Sequence, residues 1–447
     1  MTVKLLRTMW SKYQVQPGGW QAGNTSAHWG WEAHYMGRRT QIRAVLTALV
    51  AFLPVTNIVM EPGASAAPAP IKIALITDLT GPGAPIYSSS PSGFDARIDL
   101  QNAEGGVNGH KLVPLVIDDQ TSPTAVMTAV QDALSRGALG MVSTSGVFFL
   151  AAKYPQQAGV PVTGSYSDGP EWGEQPYTNM FASDLGSIST TYPVNTLEGK
   201  ILKHYGGTTL ATYGYSISPM SSQEAVATAR SFEYAGGRVG LVNTSLPFGA
   251  VNFTTLALVA KQKHINALFP TMENSSNYAL ATALKQAGVK IKAAVFATGY
   301  QPSVVNSPAW AELQGDYFLS IFRPFSAPNA GTKEMSLAMQ KYAHFSKTQF
   351  PTFGQYEGWA GADLMIKGLQ MAGTSPTSAG VIKALRGLKS YDASGLLPNP
   401  INYSTIFGHD PAKQCVWVLR AQKTGFVITS PQPVCGTDIP GTSTKGA

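Results

Sequence analysis

Two short polar turns hold the side chains of this sequence best suited to chemistry. Ser143-Thr144-Ser145-Gly146 and Gly164-Ser165-Tyr166-Ser167-Asp168-Gly169 place hydroxyls and backbone N–H groups beside glycines, and the second adds a carboxylate. Hydroxyls and free N–H groups at a helix N-terminus can receive a carboxylate or another acceptor. Simple helix capping, which needs only one such residue, is the alternative for the first turn, and a loop with an Asp cap is the alternative for the second. The parts for covalent chemistry are missing. No Gly-x-Ser-x-Gly, His-Glu-x-x-His or Walker A sequence occurs. The seven histidines, at 28, 34, 110, 204, 264, 344 and 409, lack metal-ligand spacing. Thr80-Gly81-Pro82-Gly83 imitates a dinucleotide loop, but Ile86 stands where the third glycine belongs and Pro82 has no N–H for a phosphate. These residues imply recognition without catalysis, with no metal and no cofactor.

Tyr87, Tyr166, Tyr213, Tyr215, Tyr300 and Tyr356 add to that expectation. A tyrosine buries an apolar ring and keeps a polar tip, which suits a small amphipathic guest. Singly, each is more often packing than contact; their gathering near strand ends is the informative feature.

The elements that must position these groups alternate. Apolar strands are expected at Ile71–Asp78, Lys111–Asp118, Ala138–Val142 and Val160–Thr163, then at Thr208–Tyr213, Arg238–Val242, Asn266–Phe269 and Ala293–Ala297. Helices fall between them, near 148–157, 187–204, 251–263, 333–348 and 356–372. Ser122-Pro123 reads as an N-cap and first helical residue, Ser221-Ser222-Gln223-Glu224 as a capping box, and Gly288 as a helix stop. Strands alternating with helices imply parallel sheets covered on both faces. The order repeats along a chain of 447 residues, so two similar α/β lobes are expected. Ligands of open α/β sheets bind beyond the carboxyl ends of the strands, which selects the loops 79–91, 143–148, 164–172, 214–220, 270–274 and 298–302.

Charge argues against nucleic acid. The formal net charge is +7, and residues 1–66 hold six basic residues against two acidic ones, so the remainder is only mildly basic. Residues 1–66 resemble an export signal: Arg38, Arg39 and Arg43 precede an apolar run from Ala44 to Met60, and Ala64-Ser65-Ala66 follows as a cleavage pattern. Met36 is an alternative start, and an uncleaved anchor is the alternative reading. No cysteine near the cleavage pattern offers a lipoprotein anchor. An exported chain is expected to work in the periplasm, in the cell envelope or outside the cell. The two cysteines, Cys415 and Cys435, flank an expected hairpin turning at Lys423-Thr424-Gly425. In an oxidising compartment a bridge between them is expected, two unpaired thiols being the alternative. The tail 436–447 is polar and expected to fray.

Several segments carry a family resemblance. IKIALITDLTGPGAPIY, GFDARIDLQNAEGGVNGHKLVPLVIDD, AVQDALSRGALGMVSTSGV and AAKYPQQAGVPVTGSYSD resemble the type 1 periplasmic binding proteins, in particular the branched-chain amino acid-binding branch that serves ABC importers. Gly105–Leu112 and Ala158–Val162 are the most specific marks, and the resemblance covers roughly residues 71–430. It implies two Rossmann-like lobes joined by three crossovers, near Ser183, Phe322 and Leu396. Lobe 1 would be 71–183 plus 323–395 and lobe 2 would be 184–322 plus 396–435. It also implies a monomer that closes on one small-molecule ligand and meets an ABC permease. By position, Ser145 and Gly146 fall where the family holds a ligand carboxylate. Ser167 and Asp168 fall where carboxylate and ammonium are held together. Tyr87 lies at the rim, and Tyr213 or Tyr215 lies near the second-lobe aromatic that covers the ligand. Tyr300 falls close to an acidic residue that pairs with a ligand ammonium, so an amino acid would need its counter-charge elsewhere, at Asp168 for instance. An amide, an aromatic or aliphatic acid, or another neutral solute remains open beside an amino acid. Two other functions stand as alternatives: a sensing module of the same fold, and a hydrolase using Ser145 or Ser167, which lacks a histidine–acid partnership.

Overall fold

In the computed structural model, residues 68–165, 169–184, 193–249, 251–409 and 413–443 are described. The export-signal segment 1–66, together with Tyr166, Ser167 and Asp168, lies outside them. Ile71–Thr77 (β1), Leu112–Asp118 (β2), Gly140–Thr144 (β3), Val162–Gly164 (β4) and Met180–Ala182 (β5) form one parallel sheet in the order β2-β1-β3-β4-β5. β1 is almost wholly apolar and β3 is buried at every residue, because helices cover both faces.

Thr209–Tyr215 (β6), Arg238–Leu246 (β7), Ala267–Thr271 (β8), Ala293–Phe296 (β9) and Tyr317–Ser320 (β10) repeat the plan. Their order β7-β6-β8-β9-β10 is the same parallel arrangement. Lys413–Gln422 (β11), Gly425–Ile428 (β12) and Val434–Thr437 (β13) extend it antiparallel beyond β10. Each lobe thus reverses its strand order beside its first strand, between β1 and β3 and again between β6 and β8.

The chain passes between the sheets three times, after β5, after β10 and before β11. On its second passage it returns helix Phe353–Met371 to the first sheet. Gly361 of that helix lies so close to β3 that an added Cβ would stand 2.5 Å from a Val142 methyl. Its threonine N-cap Thr352 and Gln355 close a capping box.

Some local expectations change. The helix after β6 starts at Pro219 with Ser218 as its cap, one turn before the Ser221–Glu224 pattern, since Ser218-Pro219 supplies both the cap and a pre-set first residue. The helix expected at 148–157 breaks into Phe148–Leu150 and Lys153–Ala158. The segment 436–443 is not frayed. Asp438 bridges Asn195, Ile439 is buried and donates its N–H to Val194, and Thr442 Oγ1 accepts from Val194 N at 3.1 Å. The apolar Ile439 anchors a stretch whose polarity had suggested solvent.

Cys415 and Cys435 are bridged, and they sit opposite one another in the β11–β13 register. Closing a loop of that length stabilises by roughly 3 kcal/mol in the chain-entropy model. Among the described residues, no helix is long and apolar enough to cross a membrane.

Candidate functional site

The strand order decides where a ligand can sit. At a topological switch point the two loops leaving neighbouring strands diverge and leave a crevice. In the first lobe those loops follow β1 and β3, bringing Asp78 beside Ser145 and Gly146. In the second they follow β6 and β8, bringing Tyr215 beside Thr271, Met272 and Glu273. The two crevices face each other across one cleft. Tyr87, Gly146 and Phe353 line it from one side and Tyr215, Phe248 and Met272 from the other, around a cavity of about 230 Å3. The lobes touch at its edge, where Asn274 Nδ2 donates to the Pro85 carbonyl at 3.1 Å.

Most of the wall is apolar. Ile86 and Met220 add to the aromatics, and Phe269, Leu319 and Val416 lie deeper. The ring of Tyr215 tilts against Phe248 with centroids 4.7 Å apart, and Tyr87 meets Phe353 at 6.2 Å. Polar groups are few. Ser218 and Ser221 sit at the start of helix Pro219–Tyr234, with Ser218 accepting from Ser221 N at 3.2 Å. Thr298 donates to the Met272 carbonyl at 2.8 Å.

Three carboxylates also line the cleft: Glu198, Glu224 and Glu273. Glu273 is engaged as the N-cap of helix Asn274–Gln286, accepting from Ser275 N at 2.6 Å and Ser276 N at 2.8 Å. Glu198 is buried in the first turn of helix Leu197–His204. Burial, then the negative charge of Glu224, hold its carboxyl well above the ordinary range. Glu224 accepts from Thr228 Oγ1 at 3.2 Å. Sequence reading missed all three as site residues. Glu224 had been assigned to a capping box, and Glu198 to an ordinary helix; only Glu273 fell within a strand-end loop.

A fourth carboxyl lies behind the turn. Asp78 accepts from Gly146 N at 3.1 Å, and Ser145 accepts from Val147 N at 3.1 Å. Burial, then the neighbouring Asp119 carboxyl, hold Asp78 well above the carboxylate range, while the Gly146 N–H pulls the other way. Asp78 Oδ1 and Asp119 Oδ2 have no other partner, which is the arrangement of two carboxyls sharing a proton. Gly83 roofs the pair: a Cβ there would stand 1.8 Å from Asp78 Oδ2.

The sequence-derived candidates therefore separate. Tyr87, Gly146 and Tyr215 line the cleft, and Ser145 is buried directly behind Gly146. Tyr213 lies on the same strand as Tyr215 but two residues, about 6.6 Å, further from the strand's end, and is fully buried in the core. Tyr300 turns into an aromatic cluster, stacking on Phe350 at 4.7 Å and meeting Phe426 edge-on at 5.1 Å. Neither is among the lining residues.

A second carboxyl pair, Asp184 with Glu357, sits where the chain first leaves β5. Burial, then the adjacent Asp184, hold the Glu357 carboxyl well above the ordinary carboxylate range. A raised native pKa means the folded state keeps a proton the unfolded chain has lost. Stability is then full below about pH 4.5 and falls as pH rises toward the native pKa. Glu357→Gln should match the parent at pH 4 and exceed it increasingly toward pH 8. Urea denaturation across that range checks this; a constant difference between the two proteins would contradict it.

Comparison with known proteins agrees with this architecture. A family model described as periplasmic binding protein matches residues 70–425. Leu/Ile/Val-binding protein homolog 3 of Brucella melitensis biotype 1 is 23% identical over 363 residues, spanning 75% of this chain and 91% of that protein. Among solved structures, a fatty acid ABC transporter substrate-binding protein from Thermomonospora curvata superposes with a TM-score of 0.67 at 17% identity, covering 82% of this chain and 92% of its own. An ABC transporter solute-binding protein from R. palustris in complex with benzoate gives 0.67 at 14%, covering 83% and 99%. At such identities the likeness carries the fold alone.

Proposed function

Because the chain belongs to the periplasmic binding proteins, we propose that it captures a small organic solute in the interlobe cleft and delivers it to an ABC importer outside the cytoplasm. One observation carries the reading: both switch-point crevices open into a single, mostly apolar cavity with a few convergent polar groups. A solute touching Tyr87 and Gly146 on one side and Tyr215 on the other gains contacts only when the lobes are closed. It therefore shifts the population toward the closed form. The three passages between the sheets would act as the hinge, and the permease would read the closed shape. The Cys415–Cys435 bridge suits an oxidising, extracytoplasmic setting.

A thermal-shift screen over amino acids, amides, urea, amines and aromatic or aliphatic acids tests capture. A solute at a hundred times its Kd adds about 2.7 kcal/mol, which for a chain of this size raises Tm by about 3 °C. Gly146→Trp, which fills the cleft from the first lobe, should abolish that shift. Undiminished binding by Gly146→Trp would sink the cleft as the capture site.

A further inference from the structure

We infer that the cleft selects uncharged solutes, an apolar body carrying a carboxamide or a similar group that both donates and accepts hydrogen bonds, and turns away ionised acids and amines. The inference rests on the capture reading above and adds the charge and the polar head of the guest.

The first argument is that the wall has no free partner for an ion. An anion needs a cation or free N–H groups, and among the described residues no lysine, arginine or histidine lines the cavity. The turn after β3 satisfies its own N–H groups: Gly146 N donates to Asp78 Oδ2 at 3.1 Å, and Val147 N donates to Ser145 Oγ at 3.1 Å. Asp78 is fully buried beneath Gly83, so it has no room to swing aside. A cation needs a free carboxylate. Glu273 is committed to its helix cap, accepting from Ser275 N and Ser276 N. Glu224 is engaged, with Thr228 Oγ1 among its partners. Glu198 is 8% exposed, and burial, then the nearby charge of Glu224, keep its carboxyl protonated. Either ion would give up its water for a mostly apolar wall without a counter-charge, which is costly. A neutral guest avoids that cost.

The second argument is what the wall does offer. A protonated carboxyl carries one donor and one acceptor, the complement of a carboxamide. Glu198 presents that set on the cavity wall. The third observation is independent of the acids. Tyr215 lines the same cavity, is 4% exposed, and its hydroxyl makes no hydrogen bond, with Ser276 and the Glu273 backbone close by but outside hydrogen-bond geometry. A buried hydroxyl without a partner is satisfied by a guest that brings an N–H or a carbonyl. Tyr87, Phe248 and Phe353 line the same cavity and receive the hydrocarbon body.

Two matched series test the assignment: phenylacetamide, its N,N-dimethyl derivative, phenylacetate and 2-phenylethylamine, and hexanamide, its N,N-dimethyl derivative, hexanoate and hexylamine. In calorimetry on the full chain near neutral pH, the primary amide should bind about tenfold or more tightly than the acid and the amine of its own skeleton. Dimethylation removes both N–H donors and should cost about tenfold. Glu198→Leu should weaken the primary amide about tenfold, and Glu198→Gln, which restores a donor and an acceptor, should recover most of that loss. Tyr215→Phe, which keeps the ring, should also weaken it about tenfold. The melting of each free variant reports its folding. Tighter or equal binding of the acid or the amine, Glu198→Gln as damaging as Glu198→Leu, or binding by no probe of either series overturns the inference. An acid or amine that binds best and is lost in Gly146→Trp overturns the neutral assignment while keeping the cleft as the capture site. Amide binding undiminished by Gly146→Trp overturns the cleft itself, so the two failures are distinguishable.

Discussion

Gly93→Ala is expected to destabilise the protein by about 3 kcal/mol or more, although an alanine in a helix interior is ordinarily worth up to about 1 kcal/mol over glycine. The opposite sign follows from a helix crossing. Helices Ser90–Ala103 and Phe353–Met371 approach through small residues on both sides. A Cβ on Gly93 would stand 2.0 Å from the Gln355 carbonyl oxygen, and one on Gly358 would stand 2.3 Å from that of Ser90. Gly354 meets the Ile86 carbonyl in the same way, at 2.6 Å. The obstacle in each case is backbone, which cannot rotate away as a side chain can. Relief requires the helices to part by about 1 Å, and close-packed interiors resist such shifts. Helix Phe353–Met371 also holds Phe353 against Tyr87 at the rim, so the crossing sets one wall of the cleft. Urea denaturation of Gly93→Ala measures the cost; a loss below about 1 kcal/mol would mean that the helices separate easily and that this wall is soft.

That crossing was illegible in the sequence, whereas the lobes were not. Strands such as IKIALIT and helices such as Pro123–Ser135 announce themselves by apolar runs, by spacing of four and by an N-cap before proline, so the α/β alternation and its repetition could be read. The strand-end rule then selected loops that do meet in the cleft, including those of Tyr87, Gly146, Tyr215 and Glu273. The rule knows only position along a strand, however, and not depth or facing. It therefore promoted Tyr213 and Tyr300 together with Tyr215, and only the fold shows the first two packed inside. The run Gly105–Leu112, the most family-specific stretch, serves architecture. Val107 and His110 pair across a tight turn, and a Cβ on Gly106 would strike the His110 carbonyl at 2.1 Å. Carboxyl pairs were invisible for a different reason. Asp78 and Asp119 are 41 residues apart in sequence and Glu198 and Glu224 are 26 apart. Only sheet order and helix packing bring each pair together.

Tyr215→Ala is expected to weaken solute binding by about 30-fold to 100-fold, because truncating a buried aromatic at the centre of a binding surface commonly removes 2 kcal/mol or more. Tyr215 stands at the second-lobe switch point, with its ring buried against Phe248 and one side open to the cavity. The exchange removes the largest apolar surface that the second lobe offers at that point and leaves Phe248 without its neighbour. It also makes a hole in the folded protein, so Kd has to be read by calorimetry at a temperature where the variant is fully folded. Two companion exchanges separate the causes. Tyr215→Phe keeps the ring, so it should lose only the part of the affinity that depends on the unpartnered hydroxyl, about 1 to 3 kcal/mol if a guest donates to it. Tyr300→Phe should leave Kd within about twofold, since Tyr300 packs on Phe350 and Phe426 away from the cavity. Were Tyr300 to matter and Tyr215 not, the binding surface would have to lie on the far side of β9, and the two switch points would no longer share a guest.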